Sequence, residues 1–163
     1  MVDYKIPELS EQEIQDCLKL AVSSEKRRYP KLLHSAGDEF NCVFNFMMQN
    51  SYMQPHLHPG EEKIEKIHLI RGKVAALFFD DQGMVKKCTV LEKGGIELIE
   101  VPAFTWHTYV MLTDYALTYE TMMGVYDPET WKKFAEWAPQ EGRIECLRYL
   151  DLLKSKIEYI SCP

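Results

Sequence analysis

The segment Pro55–Pro59 carries two histidines, His56 and His58, separated by a single leucine. Side chains alternate between the two faces of an extended chain, so both imidazoles point to the same side and can share one ligand. Glu65 begins the next apolar run, and His107 follows a turn that starts at a proline. Three imidazoles and one carboxylate are a suitable ligand set for a borderline first-row divalent metal. This combination predicts a metal site.

The elements that must position these residues begin with one helix. Ser10 and Glu13 have the spacing of a capping box, and the apolar residues that follow predict a helix over about residues 11–26. We expect Tyr29-Pro30 to end it, because the residue before a proline avoids the helical region. Short β-prone runs separated by turn signals come next. The predicted strands are Cys42–Met48, Ile64–Ile70, Lys73–Phe79, Val85–Leu91, Ile96–Val101, His107–Leu112 and Tyr115–Thr121.

This succession of strands excludes a βαβ architecture, because parallel crossovers need long connections. We therefore predict an all-β sandwich or barrel over about residues 41–122, followed by a helical segment over about residues 127–157. Asp127-Pro128 has the N-cap and first-position proline of a helix that would run to Pro139. Apolar residues at helical spacing predict a last helix packed on the outside, and they are Ile144, Leu147, Leu150, Leu153 and Ile157.

Length and composition limit the classes of function. At 163 residues the chain is most simply a single domain, residues 1–163, with a substantial core. A formal charge of −6 provides no basic surface for a nucleic-acid backbone, so we expect no nucleic-acid partner. The chain has no signal-peptide pattern and no stretch of about 18 apolar residues, so we expect no membrane partner. Five scattered cysteines without a Cys-x-x-Cys pair argue against a disulfide framework and favour a cytoplasmic location.

The order of these residues resembles the two motifs of the cupin superfamily. The first motif has two histidines, a glutamate and a glycine, and the second has a glycine, a proline and a histidine. The residues that carry them are His56, His58, Glu65 and Gly72, then Gly95, Pro102 and His107. The resemblance implies a double-stranded β-helix, a small jelly-roll barrel with the metal inside one mouth. It also implies a homodimer, in which an edge strand or the N-terminal segment makes the contact.

Within this superfamily the chain looks like the WbuC-type cupin-fold metalloproteins over roughly residues 28–141. A Trp-Ala-Pro-x-Glu segment makes the resemblance specific, because it lies outside the general cupin motifs. The segments that carry it are Ser51-Tyr52, Pro55–Pro59, Phe78–Gly83, Trp106–Thr108, Gly124–Pro128 and Phe134–Glu141. The resemblance implies a fold and a metal. It also carries an association with surface-polysaccharide gene sets, which points to a sugar or sugar derivative as substrate.

The sequence departs from the usual cupin pattern in three places. The gap from His58 to Glu65 is longer than usual. Phe104 stands where cupins usually have glycine, and Met111 replaces the usual asparagine after the last histidine. Glu62 would fit the shorter gap, but it lies in a Gly-Glu-Glu-Lys loop. We favour Glu65 as the ligand because it keeps the spacing to the motif glycine and begins a strand.

Four further residues are candidates for catalysis or substrate binding. Glu120 lies on the last predicted strand and could face the cavity as a general base. Tyr109 shares the face of the last histidine, so it is a second catalytic candidate, although ordinary barrel filling would explain it equally well. Gln54 shares the face of the first histidine and, together with Tyr52, could contact a substrate.

Other conspicuous residues have structural explanations. His68 lies three residues after the ligand glutamate and so on the opposite face of the strand, which favours a core or interface histidine. His34 either caps a loop or belongs to a segment that folds over the barrel mouth. The spacing of Trp131, Phe134 and Trp137 favours a helix face docked on the barrel over a binding site.

The predicted ligand set limits the chemistry. The net charge of a divalent ion held by three neutral imidazoles and one carboxylate is about +1, and an octahedral ion keeps about two open positions. Such a site suits an anionic or oxygen-rich ligand, with iron, manganese, nickel, cobalt or zinc as the ion. We therefore predict a metal-dependent enzyme for a small oxygen-rich molecule, acting as an oxygenase or as an isomerase or epimerase. A non-catalytic metal or ligand sensor and a barrel with a vestigial site are the alternatives.

Overall fold

The computed structural model describes residues 5–161, which form two helices and ten strands. In chain order these are α1 (Glu11–Ser23), β1 (Arg28–Leu32), β2 (Phe40–Met48), β3 (His56–Leu57), β4 (Glu65–Arg71), β5 (Val74–Phe79), β6 (Val85–Leu91), β7 (Leu98–Val101), β8 (His107–Met111), β9 (Tyr115–Met123), β10 (Lys133–Phe134) and α2 (Glu145–Ser161). Sheet A has the strand order β1-β2-β9-β4-β7, and sheet B has the order β10-β3-β8-β5-β6. The predicted all-β architecture with helices at both ends is confirmed.

The two antiparallel sheets pack face to face, and each helix covers one outer face. Helix α1 lies on sheet A, where its buried residues meet Phe44 and Leu117. Helix α2 lies on sheet B, where Leu150 and Leu153 meet Leu77. The interior between the sheets is apolar over most of its length, and it includes Met47, Ile67, Leu69, Val74, Leu91, Val101 and Met111. The sheets are therefore held together by apolar packing that does not involve the predicted ligands.

All seven predicted strands are present, and their bounds agree with the prediction to within two residues. Helix α1 is also confirmed, with the predicted capping box at Ser10 and Glu13, but it ends at Ser23. Tyr29 and Pro30 do not terminate it, because they lie within the unpredicted strand β1. A proline is tolerated there because β1 is an edge strand, where a missing amide hydrogen removes no ladder bond.

The segment after β9 is not the predicted helix. Asp127 does cap a turn, and its carbonyl accepts a hydrogen bond from the amide of Trp131 at 2.8 Å. The chain then extends as β10 and pairs with β3, and the amide of Ala135 donates to the carbonyl of Pro55 at 2.9 Å. The capping signal is real, but pairing with the open edge of β3 replaces the helix after one turn. The aromatic residues of this segment therefore do not share a helix face.

Helix α2 confirms the predicted last helix but buries a partly different face. Leu150, Leu153 and Ile157 are buried as predicted. Ile144 precedes the helix and is 91% exposed, and Leu147 is 62% exposed. Cys146 takes the inward position in the first turn, where it packs in the same cluster as Leu150 and Leu153 and its thiol donates a hydrogen bond to the carbonyl of Gln140 at 3.1 Å.

The described cysteines are free thiols, and they are Cys17, Cys42, Cys88 and Cys146. Cys162 lies outside the described residues. Between residues 5 and 161 we find no helix with the length and apolar character needed to cross a membrane.

Candidate metal centre

The predicted ligand residues come together between the two sheets. Strands β3 and β8 are neighbours in sheet B, and their register places His56 opposite His107. His58 follows β3, and Glu65 begins β4 in sheet A. One donor atom from each of the four residues lies within 4.8 Å of the others, and all four residues are buried. An ion bound about 2.1 Å from each donor needs a spacing of this order.

Each of the three imidazoles donates its Nδ1 hydrogen to a main-chain carbonyl. The accepting carbonyls belong to Gln54 for His56 at 3.0 Å, to Trp131 for His58 at 2.8 Å, and to Thr105 for His107 at 2.8 Å. A carbonyl oxygen can only accept, so the single hydrogen of each neutral ring is on Nδ1. The Nε2 lone pair then remains free, as in histidines that bind metals.

Two of these free nitrogens face the carboxylate of Glu65. Nε2 of His107 lies 3.1 Å from Oε2 of Glu65. Nε2 of His58 lies 3.4 Å from the same oxygen and has no hydrogen-bond partner within the described chain. Nitrogen lone pairs beside a carboxylate oxygen repel it, unless a cation lies among them. The residues present therefore fit a divalent metal ion.

Protonation states agree with this arrangement. Burial lowers the pKa of His56 well below its usual value, so the ring is neutral. Burial raises the pKa of Glu65, but a positive charge at the Nε2 atoms of His107 and His58 outweighs burial and holds the pKa well below its usual range, and a bound cation would place such a charge there. Metal binding requires neutral imidazoles and an ionised carboxylate.

At two positions where the cupin motifs have glycine, the backbone adopts the left-handed conformation. Gly72 has a φ of 83°, and a Cβ there would lie 2.4 Å from the carbonyl oxygen of Tyr115. Phe104 also adopts the left-handed region, with a φ of 59°, and its amide donates to the carbonyl of His58 at 3.0 Å. The turn beside the cluster therefore has the conformation that glycine favours, even though a phenylalanine occupies it.

Tyr109 is a positioning residue for Glu65. Its hydroxyl donates to Oε2 of Glu65 at 3.2 Å, the oxygen that also faces His58 and His107. Burial, together with the negative charges of Glu65 and Glu120, raises the pKa of Tyr109 well above its usual value. The hydroxyl is thus hydrogen bonded to a predicted metal ligand, and a catalytic role of Tyr109 stays a prediction.

Glu120 lies in the cavity, as expected of a general-base candidate. It is buried on β9, and the hydroxyl of Thr118 donates to its Oε1 at 2.7 Å. The side chain of Asn45 also hydrogen bonds with its carboxyl group. Burial, with the negative charge of Glu65 as the next cause, raises the pKa of Glu120 to about 8. This carboxyl group can therefore hold a proton at neutral pH.

A cavity of about 490 Å³ adjoins the cluster and reaches His58 and Glu65. This volume is typical of a site for a small molecule. Its walls combine inward-facing residues of sheet A with the segment after β9. Six other lining residues are Asn45, Glu120, Tyr126, Trp131, Lys132 and Phe134.

Residues 9–91, just over half of the chain, match the family described as "Domain of unknown function (DUF6016)". The chain belongs to the DUF6016 family. No curated protein matches the sequence.

Several solved structures resemble this DUF6016 protein. Protein SO0799 from Shewanella oneidensis has a TM-score of 0.58 at 9% identity, over 74% of this chain and 82% of that chain. CapF, solved with the inhibitor 3-isopropenyl-tropolone, has a TM-score of 0.55 at 19% identity, over 64% of this chain and 31% of that one. A structure from the DMSP lyases RdDddP and RnDddQII has a TM-score of 0.52 at 16% identity, over 68% of this chain and 53% of that chain.

These similarities are informative about the fold. The DUF6016 chain has a cupin β-sandwich fold with terminal helices. The chain spans about a third of CapF and about half of the lyase.

The DUF6016 structure also places the remaining sequence candidates. Glu62 is exposed and lies outside the cluster, whereas Glu65 is within it. His68 is half-buried on the other face of β4, as predicted. His34 accepts a hydrogen bond from the amide of Cys42 at 3.1 Å and also lines the cavity, so both of its predicted roles are compatible with its position.

The two predicted substrate contacts lie away from the cavity. The hydroxyl of Tyr52 donates to the carbonyl of Pro139 at 2.7 Å. The side-chain amide of Gln54 donates to the carbonyl of Ala135 at 3.0 Å. Neither residue lines the cavity. Gln54 instead supports the cluster through its own carbonyl, which accepts from His56.

Sequence reasoning missed several residues of this DUF6016 site. The carbonyl of Trp131 and the side chain of Lys132 reach the site from the segment for which we predicted a helix. Asn45 lies within a predicted strand, and it belongs to no sequence motif that would mark it as a site residue. An asparagine on the inward face of an otherwise apolar strand was the only available signal.

Proposed function

We propose that the chain is a metal-binding cupin in which His56, His58, Glu65 and His107 bind one divalent ion, and that it is a metal-dependent enzyme. The main support for the metal is that all three rings donate their Nδ1 hydrogens to main-chain carbonyls, while the Nε2 atoms of His58 and His107 face the carboxylate of Glu65. Iron, manganese, nickel, cobalt and zinc all accept such ligands.

The cavity supports catalysis over a purely structural role. Four protein ligands leave about two positions of an octahedral ion open, and the cavity beside His58 and Glu65 has room for a small molecule. A bound ion would supply Lewis-acid polarisation or redox chemistry towards dioxygen. Glu120 would hold or accept a proton beside it, and the rings of Trp131 and Phe134 would exclude water from the substrate.

We propose a small oxygen-rich molecule as substrate, a sugar or sugar derivative. The support is the WbuC-type resemblance of the sequence together with the polar cavity wall. Asn45, Glu120 and Thr121 provide hydrogen-bonding groups along one side. A reaction of the oxygenase or of the isomerase or epimerase type would use the same open positions.

Elemental analysis of ligand variants tests metal binding directly. Wild-type protein purified without chelators or oxygen should contain about one equivalent of a divalent metal. His56→Ala and His107→Ala should lose most of it while circular dichroism stays unchanged, because the apolar interior holds the sheets together. His68→Ala is the matched control, since His68 lies on the other face of β4, and it should keep the metal.

The two glutamates form a second matched pair. Glu65→Gln should lose the metal, and Glu62→Gln should keep it, because Glu62 is an exposed loop residue. Metal loss from Glu62→Gln but not from Glu65→Gln would show that Glu62 is the ligand instead. Full metal content in both His56→Ala and His107→Ala would refute the site.

Turnover tests the enzymatic part of the proposal. Metal-loaded protein should convert at least one chelating sugar, sugar derivative or hydroxy acid. Glu120→Gln should keep the metal but slow turnover by about 100-fold or more, because general acid–base catalysis contributes about that factor. Ligand binding with no turnover of any candidate would contradict the enzyme and favour a binding or sensor protein.

A further inference from the structure

Lys132 is a charged residue in the cavity that the proposed chemistry does not use. It is half-buried and lines the same cavity as His58, Glu65 and Glu120. Within residues 5–161 we find no direct ion pair or hydrogen bond of its ammonium group, although the charges of Glu65, Glu120 and Glu141 act on it from beyond contact distance. The other lysine of the cavity wall, Lys26, is paired with Glu141 at 3.2 Å. Lys132 therefore differs from Lys26 in making no direct ion pair with a carboxylate of the described chain.

The backbone on both sides of Lys132 is fixed by the metal cluster itself. The carbonyl of Trp131 accepts the Nδ1 hydrogen of His58 at 2.8 Å. Phe134 pairs with His56 in the register of β10 and β3. Lys132 thus lies between two residues that contact the ligand histidines, and its backbone is held by the same contacts. Because this backbone is already held, only the side chain of Lys132 has to be ordered on binding.

A positive charge at this place favours an anion. The net charge of the ion with its four ligands would be about +1, and Lys132 adds a second positive charge to the same cavity. Burial lowers the pKa of Lys132, although the negative charge of Glu65 opposes this. A half-buried ammonium group without a hydrogen-bond acceptor costs free energy, which a bound anion would recover.

We propose that Lys132 determines specificity by pairing with a carboxylate of the substrate while neighbouring oxygen atoms of the substrate bind the metal. This inference rests on the proposed metal site and narrows its substrate class. The substrate is then a small hydroxy or oxo acid, such as a sugar acid, and a neutral sugar is disfavoured. The rings of Trp131 and Phe134 adjoin the carbon chain, and Glu120 remains the proton-carrying group.

Two probes that differ only at one carbon test the proposal. D-gluconate carries a carboxylate where D-glucitol carries a hydroxymethyl group. Cobalt-loaded protein reports binding through its visible absorption. Wild-type protein should bind gluconate at least about tenfold more tightly than glucitol, because only the carboxylate of gluconate can form a charged hydrogen bond with Lys132.

Lys132→Met should weaken gluconate binding by about tenfold or more, leave glucitol binding unchanged and keep the metal. Lys132→Arg should retain the preference, because the charge is kept. Lys133→Met is the matched control, because Lys133 is exposed and its ammonium group lies 6.0 Å from the centre of the Trp106 ring. It should bind both probes as the wild type does.

The outcomes separate this inference from the proposed function. Equal gluconate affinity in Lys132→Met and wild type, with metal bound in both, would overturn the role of Lys132 and leave the metal site standing. Equal affinity of the wild type for gluconate and glucitol would also overturn the role of Lys132 and leave the metal site standing. Loss of metal from Lys132→Met would also overturn it, because Lys132 would then support the cluster. A wild-type protein that binds no metal would overturn both.

Discussion

At the level of single residues, chemistry at this site depends on hydrogen bonds that sequence spacing does not show. His56 and His58 lie together because side chains two apart on a strand share a face, and this was predictable. The orientation of each ring, however, comes from carbonyls of Gln54, Trp131 and Thr105. Carbonyls carry no sequence signal, so only the structure could locate them.

The same limit applies to the residues predicted for catalysis and substrate binding. Tyr109 and Gln54 were placed on the correct faces by alternation, yet their polar groups are committed to Glu65 and to Ala135. Alternation predicts a face but not a hydrogen-bond partner. For Glu120 the sequence allowed either face of the strand, and the structure places it in the cavity.

The hydroxyl of Tyr109 should matter for metal affinity and not for folding. Tyr109→Phe removes the donor to Oε2 of Glu65 and leaves that carboxylate less well oriented. Loss of such a supporting group reduces metal affinity by about 10- to 100-fold. A competition titration with a chromophoric chelator measures it. Tyr119→Phe, a buried tyrosine in the cluster between sheet A and α1, is the control and should leave affinity unchanged. Equal affinities in both variants would show that Tyr109 only fills space.

At the level of elements, the site depends on short strands that local sequence does not predict. β3 and β10 have two residues each, and their residues are paired by tertiary contact. β3 pairs with the edge of β8, and β10 then pairs with the free edge of β3. The longer strands were predictable because each has an apolar pattern of its own.

The Trp-Ala-Pro-x-Glu segment has an element-level role in attaching the C-terminal part of the chain to β1. Glu141 pairs with Arg28 at 2.7 Å and with Lys26 at 3.2 Å, and it accepts from the amide of Gln54 at 3.2 Å. Arg28 and Glu141 are both mostly buried. This carboxylate therefore links β1, the approach to β3 and the start of the C-terminal region.

Glu141→Gln should destabilise the fold in a pH-dependent way. Burial raises the pKa of Glu141, but Arg28 lowers it more, so the folded pKa lies below the usual 4.5. Its contribution is then fully present above about pH 4.5 and is lost as the pH falls through the folded pKa. We expect a loss of about 2 kcal/mol at pH 7 that shrinks below pH 4. Urea unfolding at both pH values measures it.

The control for this prediction is an exposed ion pair. Glu100→Gln removes the partner of Lys66, and both side chains are more than half exposed. Its effect should stay within about 0.5 kcal/mol at pH 7. A Glu141→Gln variant no less stable than Glu100→Gln would show that the buried pair contributes nothing.

At the level of the whole molecule, the arrangement of the sheets was predictable and the assembly was not. Seven uninterrupted strands with helical ends left a sandwich or barrel, because each sheet must bury one face. The homodimer stays a prediction, as does the single-domain organisation. Light scattering at high concentration measures the first, and a monomer would contradict it.

Metal binding should stabilise the whole molecule, because its ligands come from both sheets. His56 and His107 lie in sheet B and Glu65 lies in sheet A, so separating the sheets must dissociate the ion. An ion that binds only the folded state stabilises it by about 2.7 kcal/mol at 100 times its Kd. For a chain of this size that corresponds to roughly 5 to 10 °C in Tm.

Thermal unfolding with and without a chelator measures this stabilisation. The metal-free protein should still unfold cooperatively, because the apolar interior does not depend on the ion. His107→Ala should show the same Tm with and without metal, since it lacks one ligand. Calcium is a suitable control cation, because it prefers sites built only from oxygen and should not raise the Tm of the wild type. An identical Tm for metal-loaded and metal-free wild type would mean that the ion, if bound, does not join the two sheets.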